Sequence, residues 1–445
     1  MDSTHASHCG WFKCMQSEFK EQYGSVFALS DWAFFSASTV VFAGSLAVNI
    51  LNYVFTLVIS RLVGVEHFGE VVALLGLSLI VSVPASALAM LMAREVAAEA
   101  LNGTLGQKRL YDSLQDRTFF AAGTCWLLFL VAVPLFSNYL HIARAPLLIF
   151  SLLVPLALLS ALQSGTLQGM HNFWQLAQQN IVGSVVKLIA SVLLVLIGFS
   201  VAGIMGALVL AALSAYVFGM YSVRSLFPST ASASHGGSSI ITARFSFNAI
   251  ASLVATALLL ALLSNIDVVL AKHYLAPEIA GQYAALSTAG KIIIYGVGAL
   301  ATVLLPMASN ANARGNGKDR RVLYLTLGAT AGACLAAIAL FAMAPQFVVT
   351  VLLGSRYAMI TDYLGTFAIA MSAFALSTAF INFFIATRNT SYIYLLAMGV
   401  GVEIIAVTLF HSSLGEIVAA LMYSSLAVLV LMVANYLLNY RLRIV

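Results

Sequence analysis

The chain has 445 residues, of which 61% are hydrophobic and only 8% charged, with a formal net charge of +5. A soluble domain carries about 25% charged residues, so a water-soluble enzyme or binding module is excluded and the chain belongs in a bilayer. The positive balance needs no nucleic acid as partner, because cytoplasmic loops beside anionic membrane lipid are normally basic.

A transmembrane helix needs about 20 mainly apolar residues. Twelve such stretches are expected, at residues 37–62, 71–92, 118–138, 146–166, 179–198, 202–223, 245–271, 281–305, 322–343, 362–386, 391–410 and 416–438. Strands of a membrane barrel alternate polar and apolar residues in runs of about ten, whereas these runs are continuous and longer. The fold class is therefore an all-α polytopic bundle. The fairly polar residues 1–36 precede a first apolar run too long for the core of a signal peptide, so that run is expected to stay as a membrane anchor.

Orientation follows from the basic residues. Arg61, Arg144, Lys272 and Arg356 fall in one set of loops, while the termini and the alternate loops hold most of the 21 Lys and Arg. The positive-inside rule then places both termini in the cytoplasm. On that side lie the sequons at Asn102 and Asn389, for which no glycosylation is expected. Cys9 and Cys14 sit in the N-terminal segment and Cys125 and Cys334 within helices, a spacing that gives neither a disulfide framework nor a metal site.

The chain repeats itself. SRLVGVEHFGEVVAL from Ser60 and KHYLAPEIAGQYAAL from Lys272 align without gaps, pairing Glu66 with Glu278, Gly69 with Gly281, Ala73 with Ala285 and Leu74 with Leu286. Each copy joins the first helix of its half to the second, and its Gly and Glu are expected to shape the turn. Near the other end of each half, VVKLIAS at 185–191 resembles GVEIIAV at 401–407, pairing Lys187 with Glu403. Residues 224–244, rich in Ser, Gly and Ala, read as a cytoplasmic linker. The expected organisation is thus a cytoplasmic segment 1–36, a lobe of six helices over 37–223, the linker 224–244 and a second six-helix lobe over 245–445. Six helices per half make the repeats parallel, related by an axis along the membrane normal.

A charge near the bilayer centre costs roughly 2.5–3.5 kcal/mol on insertion scales, so it faces a cavity or a partner. Four charges qualify: Lys187, Asp267, Lys291 and Glu403. Lys291 lies about 15 Å along its helix, near the midplane, while Asp267 is close enough to a helix end for an interfacial role. Asn180, Ser184, Lys187 and Ser191 form one helical stripe, and Ser45, Asn49, Asn52, Thr56 and Ser60 form another on the first helix. A third set, Asn248, Ser252, Thr256 and Ser264, makes a looser face. Such stripes either line water or bond between helices. The two lysines read as cavity-lining, with a buried salt bridge to Asp267 or Glu403 as the competing arrangement. His67, His141, His273 and His411 fall at the outer ends of helices. There is no GxxxxGK[ST], no HExxH and no loop long enough for a catalytic domain, which leaves a channel, a secondary transporter or a lipid translocase.

The run from Gly44 to Ala97 resembles the opening of the polysaccharide-biosynthesis flippases of the multidrug, oligosaccharidyl-lipid and polysaccharide exporter superfamily. Asn265 to Ile293 resembles them again, through the Asp and the Gly-x-Tyr at Gly281–Tyr283. The resemblance implies two six-helix lobes in a MATE-like V around a central cavity, open alternately to each face. It implies a polyprenyl-diphosphate-linked oligosaccharide as substrate, moved from the cytoplasmic to the outer leaflet of a bacterial inner membrane. On this reading Lys187, Lys291, Asn49, Asn52, Asn180 and Ser184 contact the head group, because a diphosphate leaving water needs cations and hydrogen-bond donors. Asp267 and Glu403 then sense a coupling ion, H+ or Na+, with no metal, cofactor or catalytic residue expected. Membrane lipids, and polysaccharide polymerase or assembly proteins, are the expected partners besides the lipid-linked glycan. The rival readings are an ion-coupled drug exporter of the same superfamily, which should prefer acidic cavity groups, and a membrane glycosyltransferase or ligase, which should carry a large outer loop with catalytic carboxylates.

Overall fold

In the computed structural model of the protein, backbone is described for residues 29–100, 103–227, 247–313, 318–387 and 389–441. Within these, side chains are described except at 29–42, 247–250, 297–320, 322 and 439–441. The N-terminal segment with Cys9 and Cys14, the sequon at Asn102, the side chain of Asn248 and nearly all of the linker lie outside the described residues.

The described residues are helical throughout, in the order α1 (Leu29–Leu62), α2 (Val65–Val81), α3 (Val83–Glu99), α4 (Gly103–Leu140), α5 (Arg144–Ser151), α6 (Leu153–Gly169), α7 (Phe173–Leu196), α8 (Val201–Leu226), α9 (Phe247–Tyr274), α10 (Pro277–Ala313), α11 (Lys318–Met343), α12 (Pro345–Leu352), a 3-10 turn (Ser355–Ile360), α13 (Thr361–Ala386), α14 (Tyr392–Leu409) and α15 (Leu414–Arg441). A helix covers each of the twelve expected stretches, eleven of them long and apolar enough among the described residues to cross a membrane, and the chain is a multi-pass membrane protein. Two spans are broken where a single helix was expected. Val65–Glu99 divides at Ser82, and Arg144–Gly169 divides at Leu152. Both breaks precede a proline, Pro84 or Pro155, whose missing N–H removes the hydrogen bond to the carbonyl four residues back.

Helices α1 to α8 pack largely among themselves, with α7 against α8 and α1, and α6 against α3 and α4. Helices α9 to α15 do the same, with α13 against α10, α11 and α15, and α14 against α9 and α15. The two sets meet mainly where α2 packs on α9 and α10. One apolar core runs across this seam, joining Phe55, Ile59, Phe68 and Leu74 to Val268, Tyr283, Leu286 and Phe367. Large apolar side chains elsewhere, such as Phe120 and Val131, point outward, as a lipid-facing surface requires.

The internal repeat is reproduced at the first hairpin of each half. The first copy leaves α1 at Leu62 and enters α2 at Val65; the second leaves α9 at Tyr274 and enters α10 at Pro277, the aligned positions. Glu66 and Glu278 sit in the first turns of α2 and α10, where a carboxylate complements the positive end of the helix dipole. The glycines, however, shape no turn: Gly69 and Gly281 lie inside the helices. Together with Ala73 and Ala285 they form a small-xxx-small pattern on each of two helices that cross. In lipid there is little hydrophobic drive between helices, so association depends on close backbone approach at small residues. Repeat identity at these positions is a packing requirement.

Candidate functional site

The two polar stripes of the first half face one another across the α1–α7 contact. The Lys187 ammonium donates a hydrogen bond to the Asn52 side-chain oxygen and lies 4.6 Å from the centre of the Phe55 ring. A cation over an aromatic face is held by the ring quadrupole, so Lys187 has an aromatic and an amide partner and no carboxylate among these contacts. Two to three helical turns away along α7, Asn180 and, on α1, Asn49 and Ser45 line a cavity of about 160 Å3, closed by Gly44, Val48, Phe173, Leu176 and Ala177. Asn49 and Asn180 are exposed there. The hydroxyls are used differently. Thr56 donates to the Asn52 carbonyl at 3.0 Å and Ser184 to the Asn180 carbonyl at 2.9 Å, the back-bonding usual for such side chains in helices.

The second half builds a different site at the matching place. Asp267 is 2% exposed and Glu403 is 0% exposed. The Tyr283 hydroxyl donates to Asp267 Oδ2 at 2.9 Å, and Lys291 Nζ donates to Asn265 Oδ1 at 3.1 Å. Lys291, Asp267 and Glu403 lie within electrostatic reach of one another. Asp267 Oδ1 and both Glu403 carboxyl oxygens are buried without a hydrogen-bond partner. Buried polar groups are nearly always paired, so three orphaned oxygens in one spot mark a place built for something more than packing. The structure thus groups Lys291 with the two carboxylates, and Lys187 with Asn52, with Asn49, Asn180 and Ser184 along the same two helices.

Repeat symmetry relates the two sites. In the hairpin alignment Phe55 corresponds to Asp267, and in the later alignment Lys187 corresponds to Glu403. The first lobe therefore sets a cation on an aromatic ring where the second sets one carboxyl near another. Lys291 occupies the position of Leu79 and adds the cation that makes the acidic pair tolerable. The acidic site also borders the seam, because the Cβ of Asn265 packs against Gly76 of α2.

Contacts that join the two lobes through polar groups gather at the end of the molecule bearing the hairpins. Tyr357 donates to the Ser60 carbonyl at 2.9 Å, and its ring stands edge-on to Phe68 with centroids 5.8 Å apart. Arg61 donates to the Val351 carbonyl. Lys272 pairs with Glu70 at 3.9 Å, both side chains being largely buried. His273 stacks on Tyr139 with centroids 3.9 Å apart, and its Nδ1 is 2.6 Å from the Tyr139 carbonyl oxygen. His141 and His411 extend this stack, the latter through Tyr274.

Phe55, Asn265 and Glu70 escaped sequence reasoning. A phenylalanine in an apolar run gives no signal, and Asn265 and Glu70 would have required knowing which helices meet. Tyr283 was visible only as part of a motif, with its partner unknown.

Comparison with known proteins agrees with this architecture. A family profile described as polysaccharide biosynthesis protein matches residues 34–312. No curated protein sequence matches the chain. Among solved structures, an inward-facing multidrug resistance MATE family transporter of the MOP superfamily aligns over 89% of this chain and 94% of its own, with a TM-score of 0.72 at 13% identity. An outward-facing MATE transporter aligns over 93% and 95%, with a TM-score of 0.58 at 14% identity. A MOP superfamily transporter from Pyrococcus furiosus, described as having a binding pocket of reverse polarity, aligns over 91% and 94%, with a TM-score of 0.56 at 14% identity. These neighbours are transporters, and the chain shares their fold. The chain belongs to the polysaccharide biosynthesis protein family, with the fold seen in transporters of the MOP superfamily.

Proposed function

We propose that the protein carries polyprenyl-diphosphate-linked oligosaccharide from the cytoplasmic to the outer leaflet of a bacterial inner membrane, by alternating access. The observation that carries this reading is the Lys187 site. Its ammonium is held by Asn52 and Phe55, with no carboxylate among those contacts, on the same two helices as the amide-lined cavity at Asn49 and Asn180. An ammonium so placed can give a charge-assisted hydrogen bond to a diphosphate oxygen, while the asparagines offer donors and acceptors to sugar hydroxyls. The polyprenyl tail needs no site, since it can stay in lipid.

In this reading Asp267 and Glu403 hold the coupling ion and Lys291 is their resident counter-charge. Both termini are cytoplasmic, and the hairpin end of the molecule faces outward, so the polar seam there is the outer gate in its closed state. A polysaccharide polymerase or another assembly protein would take the product.

The multidrug transporters among the structural neighbours support a second reading, export of cationic drugs driven by the same acidic pair. A deletion strain separates them. Loss of surface glycan with unchanged drug susceptibility supports the flippase; drug sensitisation with intact glycan supports the exporter.

A further inference from the structure

Two buried carboxyls and one ammonium leave the cluster one positive charge short of neutrality, and the hydrogen bonds show how that charge is distributed. Asp267 accepts from the Tyr283 hydroxyl, as an ionised carboxylate should. Glu403 receives no donor on either oxygen, although it is 0% exposed. An ionised carboxylate buried without a protein donor is costly in a membrane interior, and two carboxylates within reach of each other do not both stay ionised. The charged and titratable groups that face Glu403 are Asp267 on α9, and Lys291 and Tyr283 on α10. Helix α15, which also packs on α14, brings the buried hydroxyls Ser424 and Ser425 near its middle, with Tyr423 exposed. A bare metal cation would need several converging oxygens to replace its water, and Lys291 already stands among the few available. No cluster of three or more His, Cys, Asp or Glu suited to a metal occurs among the described residues.

We propose that Glu403 is a neutral carboxylic acid in this conformation and that the proton it carries is the coupling ion, in preference to Na+. This rests on the reading that the acidic pair couples an ion to transport. The step balances simply: the Glu403 carboxylate takes one proton from water when the site is open to it, the O–H bond forms, and the lobe can then close on a neutral Asp267–Lys291–Glu403 set. When the seam at Asn265 and Gly76 parts and water enters, the O–H bond breaks and the proton leaves to water.

The test needs no glycan, so its failure is distinct from failure of the flippase reading. Infrared difference spectra of the full-length protein in lipid nanodiscs should show the carbonyl stretch of a protonated carboxylic acid at neutral pH. Exchange into heavy water should shift that band without any mutation. It should vanish in E403Q, move when glutamate carboxyls and not aspartate carboxyls are labelled with a heavy carbon isotope, and be unchanged when sodium chloride replaces choline chloride. A band absent at neutral pH, or lost on adding sodium but not choline, would overturn the proposal. So would a band that persists in E403Q or that moves with aspartate labelling.

Discussion

Gly69 and Gly281, partners in the internal repeat, lie against each other at the seam between the lobes. A Cβ added to Gly69 would fall 2.9 Å from the Gly281 Cα, and one added to Gly281 would fall 2.0 Å from the Val65 carbonyl oxygen. Two residues that are images of one another can touch in this way only close to the axis that relates the halves. The lobes therefore meet at these two glycines close to that axis, and the absence of a side chain there is what permits it.

The first prediction concerns that contact. Gly281→Ala should strain the described conformation and favour one with the hairpin end parted. Overpacking of this kind typically costs about 1–3 kcal/mol, a population shift of roughly 5- to 150-fold. Distances between spin labels placed on α2 and α10 at the hairpin end should lengthen in the variant. An unchanged distance distribution would mean the seam opens without separating these glycines.

The ion pair across the same seam should act as a latch. Lys272→Met leaves Glu70 largely buried without its partner, and Glu70→Gln strands Lys272, a loss of roughly 3 kcal/mol for a buried pair broken on one side. Either change should shift the lobes apart in the spin-label measurement, and the exchange E70K/K272E should restore the starting distribution. If the exchange behaves like the single variants, the pairing at 3.9 Å contributes through its surroundings and not through charge.

Tyr357 supplies a smaller clasp. Tyr357→Phe keeps the edge-on contact with Phe68 and deletes only the hydrogen bond to the Ser60 carbonyl. Its expected cost is about 1 kcal/mol, read as a modest fall in thermal stability in detergent. Loss of several kilocalories would show that the hydroxyl positions more than its own bond.

Lys291 should be needed for stability at alkaline pH. In K291Q the acidic pair loses its counter-charge, and the folded state restores balance by holding one more proton on its carboxyls than wild type does, with no lysine proton in the unfolded chain to offset it. When the folded state binds more protons than the unfolded state, stability falls as pH rises. The variant should therefore lose stability with pH more steeply than wild type by one proton, about 1.4 kcal/mol per pH unit. Melting curves across pH check this, and parallel pH profiles for the two proteins would place the balancing charge elsewhere.

The sequence carried the helices because hydropathy alone decides what crosses a bilayer. It carried the two polar stripes that hold Asn52 and Lys187 but not the pairing between them, since a lysine on such a stripe read equally as lining a cavity or meeting Asp267 or Glu403. The breaks at Ser82 and Leu152 were equally written, in Pro84 and Pro155, but a continuous apolar run hid them. The acidic cluster was legible only as four unexplained charges, because nothing local says that Lys291 reaches Asn265 and the carboxylates while Lys187 rests on Phe55. The repeated glycines were visible as identities, and their role was not. A glycine near a turn and a glycine at a helix crossing look the same until the partner helix is placed.

The central claim is that the Lys187 site handles the anionic head of a lipid-linked glycan. Vesicles reconstituted with the protein and a polyprenyl-diphosphate-linked oligosaccharide, probed from one side with a glycan-cleaving enzyme, test it most directly. The account predicts transfer that depends on the protein and is abolished by Lys187→Gln at equal incorporation. Equal transfer in vesicles with and without the protein, or full transfer by the variant, would contradict it.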